Sequence, residues 1–249
     1  MDNRLKVTGM ILSVTPAGEY DRRVVILTRE KGKISAFAPG ARRSGSQLIS
    51  STQMCVFGTF RLFAGKDAYR INEVEPAEYF TEIRENADLA YHAMYFCEIA
   101  DYFAREGNDE REMLGLLYAA LKAAVRKKMS LRLITSVFEM KAVCINGEAP
   151  LLSECVICHR PTDEKQTNYF SVNAMGIVCR DCAEKAKHIA AIGTSLRYAL
   201  WYILATPPEK LFAFTLDEAS EQGLTRLAGE YLNSRTGHEF AGAKLLEII

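Results

Sequence analysis

Apolar and polar positions follow one period through the first eighty residues of the chain and another afterwards. Residues 5–14 mix β-branched and apolar side chains, Val24 to Leu27 form a dense apolar run, and Lys33 to Phe37 alternate charged and apolar positions. Each reads as a strand, because successive side chains on a strand point to opposite faces. Arg29-Glu30-Lys31-Gly32 is a turn signal between the second and third runs. Met54 to Phe63 and Tyr69 to Val74 flank Ala64-Gly65-Lys66-Asp67, a second hairpin with glycine available for positive φ. Five short strands in this span predict a small closed barrel, most economically an OB-fold.

After Pro76 the spacing becomes helical. Leu89, Ala93, Phe96, Ala100 and Phe103 recur at three and four residues, as do Met113, Leu116, Leu117, Ala120, Leu121 and Ala124, then Leu131, Ile134, Phe138, Ala142 and Ile145. These are three amphipathic helices. Gly107-Asn108 parts the first two, Ser130 caps the third, and Gly147 with Pro150 ends it. Helices resume at about 195–204 and 217–231, on either side of Pro207-Pro208. The expected class is α+β: a barrel domain at 1–79, then a helical domain at 80–249 interrupted by a cysteine module at about 150–190.

That module carries the sharpest chemical signal. Cys155 and Cys158 form one Cys-x-x-Cys knuckle, Cys179 and Cys182 a second, with twenty residues between them. A tetrahedral Zn²⁺ takes four thiolates, and a two-residue gap lets one tight turn supply two of them. With all four positions filled by protein, no place remains for water or substrate, so the zinc is expected to be structural. A redox pair needs one such motif on the turn of a βαβ unit, not two in a loop-rich stretch. A nucleotide deaminase needs an upstream His-x-Glu, which follows none of the four histidines. His159 and His188 read as surface residues. Cys55, Cys97 and Cys144 lie singly in apolar surroundings, as reduced core cysteines do, which makes two structural disulfides the weaker reading.

Composition adds little to this, but charge adds more. With 49% apolar and 25% charged residues the chain is ordinary for a globular protein. Met1-Asp2-Asn3-Arg4-Leu5-Lys6-Val7 has no apolar leader region, and Tyr198 to Pro208 is too short to span a bilayer. Together with the unpaired thiols this predicts a cytoplasmic protein with no membrane partner. The net charge is zero, yet residues 1–80 hold twelve Lys/Arg against eight Asp/Glu, and the remainder nineteen against twenty-three. Arg22, Arg23, Arg29, Lys31 and Lys33 flank apolar runs of the expected barrel, while Arg42 and Arg43 sit in the loop Pro39-Gly40-Ala41-Arg42-Arg43-Ser44-Gly45-Ser46. Such a patch attracts a phosphate backbone, although most charge runs are only solvated faces. OB-folds hold single strands by stacking bases on aromatics beside a basic groove. Tyr20, Phe37, Phe57, Phe60, Phe63 and Tyr69 are, however, expected mostly as barrel core.

Several segments in order resemble one family. Gly9-Met10-Ile11-Leu12, Gly18-Glu19-Tyr20-Asp21, Leu27-Thr28-Arg29-Glu30-Lys31-Gly32-Lys33 and Pro39-Gly40-Ala41-Arg42-Arg43 look like the N-terminal domain of the RecO family of bacterial DNA repair proteins. Phe138-Glu139-Met140-Lys141, Asn146-Gly147-Glu148-Ala149-Pro150, the two knuckles and the intervening Phe170-Ser171 match that family's helical and zinc segments. Met175-Gly176 stands where the family usually has Gly-Gly, and Ala241-Gly242-Ala243 where Lys-Ser is common. The resemblance implies a non-enzymatic recombination mediator that binds single- and double-stranded DNA and anneals complementary strands. It also implies contact with the acidic C-terminal tail of single-stranded DNA-binding protein, association with RecR, and help to RecA in replacing that coating protein.

Three other classes use some of the same features. An RNA-binding OB module would share the basic barrel, and comparing DNA with RNA separates the two. A structural zinc-containing adaptor would leave the basic face merely solvated. An enzyme has least support, because no spaced set of residues proposes a reaction and no Gly-rich phosphate loop with lysine indicates nucleotide hydrolysis.

Overall fold

The computed structural model describes residues 4–65, 68–162 and 168–246, in two compact units: Met1–Leu121 with Phe240–Ile249, and Lys122–Glu239. In the first unit, strands β1 (Arg4–Ala17), β2 (Asp21–Thr28), β3 (Gly32–Ala38), β4 (Phe57–Ala64) and β5 (Tyr69–Glu78) close a barrel in the order β1-β2-β3-β5-β4. All neighbours are antiparallel except β3 and β5, whose parallel pairing closes the barrel. Alternation explains it. Val7, Ile11, Val24, Ile26, Ile34, Ala36, Phe60, Leu62 and Ile71 point inward and form the core, alternating with residues such as Thr8, Val25, Ser35 and Arg61 that point the other way.

The strands run further than their apolar cores indicate. β1 continues to Ala17 because it bends at a bulge between Ile11 and Ser13 and then pairs with β2 down to Ala17 opposite Asp21. β5 continues through Pro76, the residue after which helix was expected, because a register shift opposite Phe57 and Gly58 lets the strand accommodate a residue with no N–H. Met54 and Cys55 belong to a turn instead of to β4. Cys55 takes φ 66°, and its N–H still bonds to the carbonyl of Ile11 at 2.9 Å. The β3–β4 connection also holds a one-turn helix, α1 (Leu48–Ser51), that no periodicity announced. Lys66 and Asp67 of the second hairpin turn lie outside the described residues.

Helices α2 (Thr81–Glu85), α3 (Ala87–Phe103) and α4 (Arg111–Arg126) follow. The Asn86 side chain caps α3 by accepting from the N–H of Leu89 at 3.0 Å. In the second unit α5 (Leu131–Ile145) is capped as expected, Ser130 Oγ accepting from Leu133 N–H at 3.0 Å. The cysteine module is not loop-rich. Strands β6 (Asn168–Ser171), β7 (Gly176–Cys179) and β8 (Ile189–Ile192) form an antiparallel sheet in the order β7-β6-β8. Each has four residues, too few for an alternation to stand out. Gly176 opens β7 where a Cβ would lie 2.3 Å from the carbonyl of Leu151, and its neighbour Met175 takes φ 59°. Helix α6 (Thr194–Ala205) is followed by the single turn α7 (Pro208–Leu211), whose first residue is Pro208. Helix α8 (Glu218–Thr236) runs a turn beyond expectation to Gly237 at φ 58°. The last helix, α9 (Ala241–Leu246), returns to the first unit, where the Glu98 carboxylate accepts from the N–H groups of Ala241 and Gly242 at 2.8 Å each. Among the described residues no helix is long and apolar enough to cross a membrane.

Candidate metal centre and nucleic-acid surface

The two knuckles converge. Cys155 precedes a tight turn in which the N–H of His159 bonds back to its carbonyl at 2.9 Å, so Cys158 swings round beside it. Cys179 ends β7, and Cys182 sits on the 3₁₀ turn Arg180–Lys185 that follows. The four Sγ atoms lie within 4.8 Å of one another, with Cys155 and Cys182 buried and the other two half-buried. The N–H of Cys179 points at Cys155 Sγ at 3.4 Å, a donor that favours thiolate. Arg160 Nη2 donates to Asp181 at 2.9 Å and ties one knuckle to the other.

Arg160, with its own backbone N–H, pulls the Cys158 thiol down to about 6, whereas burial and then the neighbouring cysteines push Cys182 up to about 12. These two thiols ionise unequally, because in a crowded cluster each thiolate opposes the next. A coordinated cation removes that conflict by deprotonating its thiol ligands outright. The donor set, its closure and its N–H···S bond all fit a four-coordinate metal ion. Both nearby histidines stay outside the shell: His159 and His188 are exposed, and His159 Nδ1 lies 3.0 Å from Glu154. The other cysteines are free thiols. Cys55 and Cys97 are not single, however, but face each other in the core with Sγ atoms 3.8 Å apart. Burial pushes the Cys144 thiol up to about 11.

The seven basic residues expected to meet DNA fall into two groups at opposite ends of the β2–β3 hairpin. At one end the Gly18–Asp21 turn meets the loop 39–46: the N–H of Arg42 bonds to Tyr20 O at 2.8 Å, and Asp21 accepts from Gly40 N–H at 2.7 Å. The guanidinium of Arg43 stacks over the exposed Tyr20 ring at 4.9 Å, and Arg42 Nη1 reaches Gly18 O at 3.2 Å. Arg23 is exposed on β2, with Nε donating to Ser35 Oγ at 2.8 Å. Arg22 beside it is differently employed. Its Nη1 donates to Ile49 O at 2.7 Å and Thr52 Oγ1 at 3.0 Å, anchoring α1, and burial together with Arg42 holds its pKa below the usual arginine range.

Arg29, Lys31 and Lys33 lie at the far end, because Thr28 pairs with Gly32 six residues along β2 from Arg22. Lys33 Nζ is held there by Asp101, at 2.5 Å from its carbonyl and 3.3 Å from its carboxylate. Arg22→Ala is accordingly expected to cost stability, about 1–3 kcal/mol for acceptors left without their donor, read as a lowered melting temperature. Arg23→Ala should leave the melt unchanged.

The aromatics divide as well. Phe60 is buried in the barrel core, Phe57 packs on Tyr118 with ring centroids 4.8 Å apart, and Tyr69 is half-buried. Tyr20, Phe37 and Phe63 face outward, 43%, 41% and 48% exposed. That corrects the expectation for these three. The available signal was parity: Phe37 alternates with Ile34, Ala36 and Ala38, so small alanines occupy the core side and the large ring takes the surface.

The family model described as Recombination protein O N terminal matches residues 1–80, and Recombination protein O C terminal matches residues 84–242. The chain belongs to the RecO family. The DNA repair protein RecO of Acetivibrio thermocellus is similar to it, 31% identical over 94% of this chain and 92% of the relative. That of Alkaliphilus metalliredigens is 28% identical over 92% of both, and that of Clostridium novyi 30% over 80% and 75%. In this member of the RecO family the five-stranded barrel coincides with the first matched segment, and the four-cysteine cluster lies in the second.

Proposed function

We propose that the chain is a non-enzymatic DNA repair protein of the cytoplasm that binds single- and double-stranded DNA through residues 1–79, anneals complementary strands and helps RecA replace single-stranded DNA-binding protein. The observation that carries this reading is the end of the barrel where Arg42 and Arg43 meet the exposed Tyr20 and the start of β2 carries Arg22 and Arg23, in a chain that belongs to the RecO family. Cations on a loop and a strand end neutralise phosphates without reading sequence, as an annealing surface must. Arg29 and Lys31, at the other end of the hairpin, extend the basic surface; Arg22 and Lys33 support it through the contacts that fix α1 and α3.

Zinc is the ion proposed for the cysteine cluster. A tetrahedron with Zn–S bonds of about 2.3 Å has edges of about 3.8 Å, and Cys158 and Cys179 stand 3.8 Å apart. Bound there, zinc holds the β6–β8 module together and supplies no chemistry. For the acidic tail of the coating protein we propose the apolar groove of the second unit lined by Phe170, Ile189, Ile192, Leu196 and Leu227, where Arg226 offers a cation beside Glu230. RecR is the further partner implied by the family.

The test is strand annealing without nucleotide, using complementary strands coated with full-length single-stranded DNA-binding protein or with a form lacking its acidic tail. Faster annealing with the full-length protein is expected, and Arg226→Glu should reduce that advantage. Equal rates with both would refute the tail-docking step. No annealing with either, together with no salt-sensitive DNA binding, would return the chain to a structural adaptor.

A further inference from the structure

The strand register assembles a row that no single strand displays. Arg4 of β1 pairs with Phe63 of β4, Phe63 with Arg70 of β5, Arg70 with Phe37 of β3, and Phe37 with Arg23 of β2. Residues paired in register face the same side of a sheet. On every strand the adjacent positions belong to the core or pack against it: Leu5, Leu62, Ile71, Ala36 and Val24. All five members of the row therefore point out, and all five are exposed. The result is one residue from each strand, alternating cation and ring, laid around the barrel across the strand direction. With neighbouring strands about 4.8 Å apart, the two rings stand about 10 Å apart with Arg70 between them.

Scattered exposed apolar residues need no explanation. Two phenylalanines that each have arginine in register on both sides do, and the charge pattern points to an external anion. One row further along, Arg61 is neutralised by Glu73 at 3.2 Å and by Glu75. Among the described residues no ion pair of Arg23 or Arg70 occurs, and the recorded bond of Arg23 is to the neutral hydroxyl of Ser35. Arg23 also lies two residues from Asp21, whose carboxylate holds Gly40 of the Arg42-Arg43 loop, so the row leads into that basic end.

We propose that this row is a track for single-stranded DNA, in which unpaired bases stack on Phe63 and Phe37 while Arg4, Arg70 and Arg23 contact the phosphates between and beside them. The proposal rests on the reading of the barrel as the DNA-binding domain and adds to it the path of the strand and the source of strand preference. Bases of a duplex are already stacked on one another, so a duplex can use the arginines but not the rings. Base stacking on aromatic side chains is worth about 1–3 kcal/mol per base, or about 5- to 150-fold.

The experiment uses the full chain and three labelled probes: an oligothymidylate, an abasic oligonucleotide of equal length, and a duplex. Phe37→Leu with Phe63→Leu keeps apolar bulk and removes the rings. It is expected to weaken oligothymidylate binding by at least about tenfold and to leave the other two probes unchanged. Phe37→Tyr with Phe63→Tyr keeps the rings and should bind as the wild type does. Arg23→Gln with Arg70→Gln should weaken all three probes and flatten the salt slope on oligothymidylate by about 1.4, at about 0.7 per phosphate. Wild-type binding by the leucine variant, or equal loss on oligothymidylate and abasic probe, would overturn the stacking track while leaving a DNA-binding barrel in place. Failure of the unaltered protein to bind any probe would overturn the barrel reading itself.

Discussion

Protein purified without chelator is expected to contain about one zinc per chain, and serine at Cys155, Cys158, Cys179 or Cys182 is expected to abolish that content. The effect should be large, because the β6–β8 module is small. The cluster at the knuckles consists of Cys155, Val178 and Cys182 with half-buried neighbours, so two of its three buried members are themselves metal-site thiols, and Phe170, Ile177 and Ile192 are the other buried apolar residues of the three strands. Apparent zinc-binding energies in comparable modules are about 10–16 kcal/mol at neutral pH, far more than so small an apolar contact can supply. Amide exchange over the module, from about residue 150 to 192, should therefore rise sharply in a serine variant or after chelation. Salt-dependent DNA binding by the barrel should persist, since the barrel and the cysteine module fall in different compact units. Elemental analysis below about half an equivalent, with no change in exchange on substitution, would reduce the four thiols to ordinary packing residues.

The second large effect is expected from Arg42→Ala combined with Arg43→Ala. Each phosphate contact on a single strand releases counterions and contributes about 0.7 to the slope of log affinity against log salt. Losing both should lower that slope by about 1.4 and weaken binding to all sequences alike, because contacts of this kind carry no sequence information. Lys33→Ala is the internal comparison. It carries the same formal charge, but its ammonium is committed to Asp101, and its loss should change the slope far less. Equal changes from the two variants, or none from the double variant, would assign Arg42 and Arg43 to the solvated face. Zinc content and salt slope thus test the two units separately.

Much of this molecule was legible in one dimension. Helices α3, α4 and α5 were set by spacings of three and four, and the cap of α5 by Ser130 standing at its start. The cysteine cluster was legible because two-residue gaps give each knuckle its turn before any tertiary contact forms. The barrel was legible as a count of strands, though their ends were not. Pro76 looked like a terminator because a proline removes a donor, and only the bulge opposite Phe57 and Gly58 shows why that donor was not required. The β6–β8 sheet was hidden for the opposite reason, since strands of four residues are shorter than the pattern that would reveal them.

Surface chemistry was the part the sequence could not arrange. Seven basic residues formed one cluster along the chain, yet β2 carries Arg22 and Arg23 to one end of its hairpin and delivers Arg29, Lys31 and Lys33 to the other. Of the adjacent pair, Arg22 turns to the carbonyls of α1 and Arg23 to solvent. Phe37 and Phe63 were expected in the core because large rings usually bury. In this barrel the alternate positions are already filled by Ile34, Ala36, Ala38, Phe60 and Leu62, so the rings are left outside. The sequence by itself determined the barrel-then-helices order and the four-cysteine cluster, because these depend on local periodicity and short spacings, and its motifs in order carried the resemblance to the family. Only the tertiary structure decided which cations are committed to carbonyls or carboxylates, as Arg22 and Lys33 are, and which rings line up in register with arginine, because those depend on strand pairing, and pairing joins residues that lie tens of positions apart in the chain.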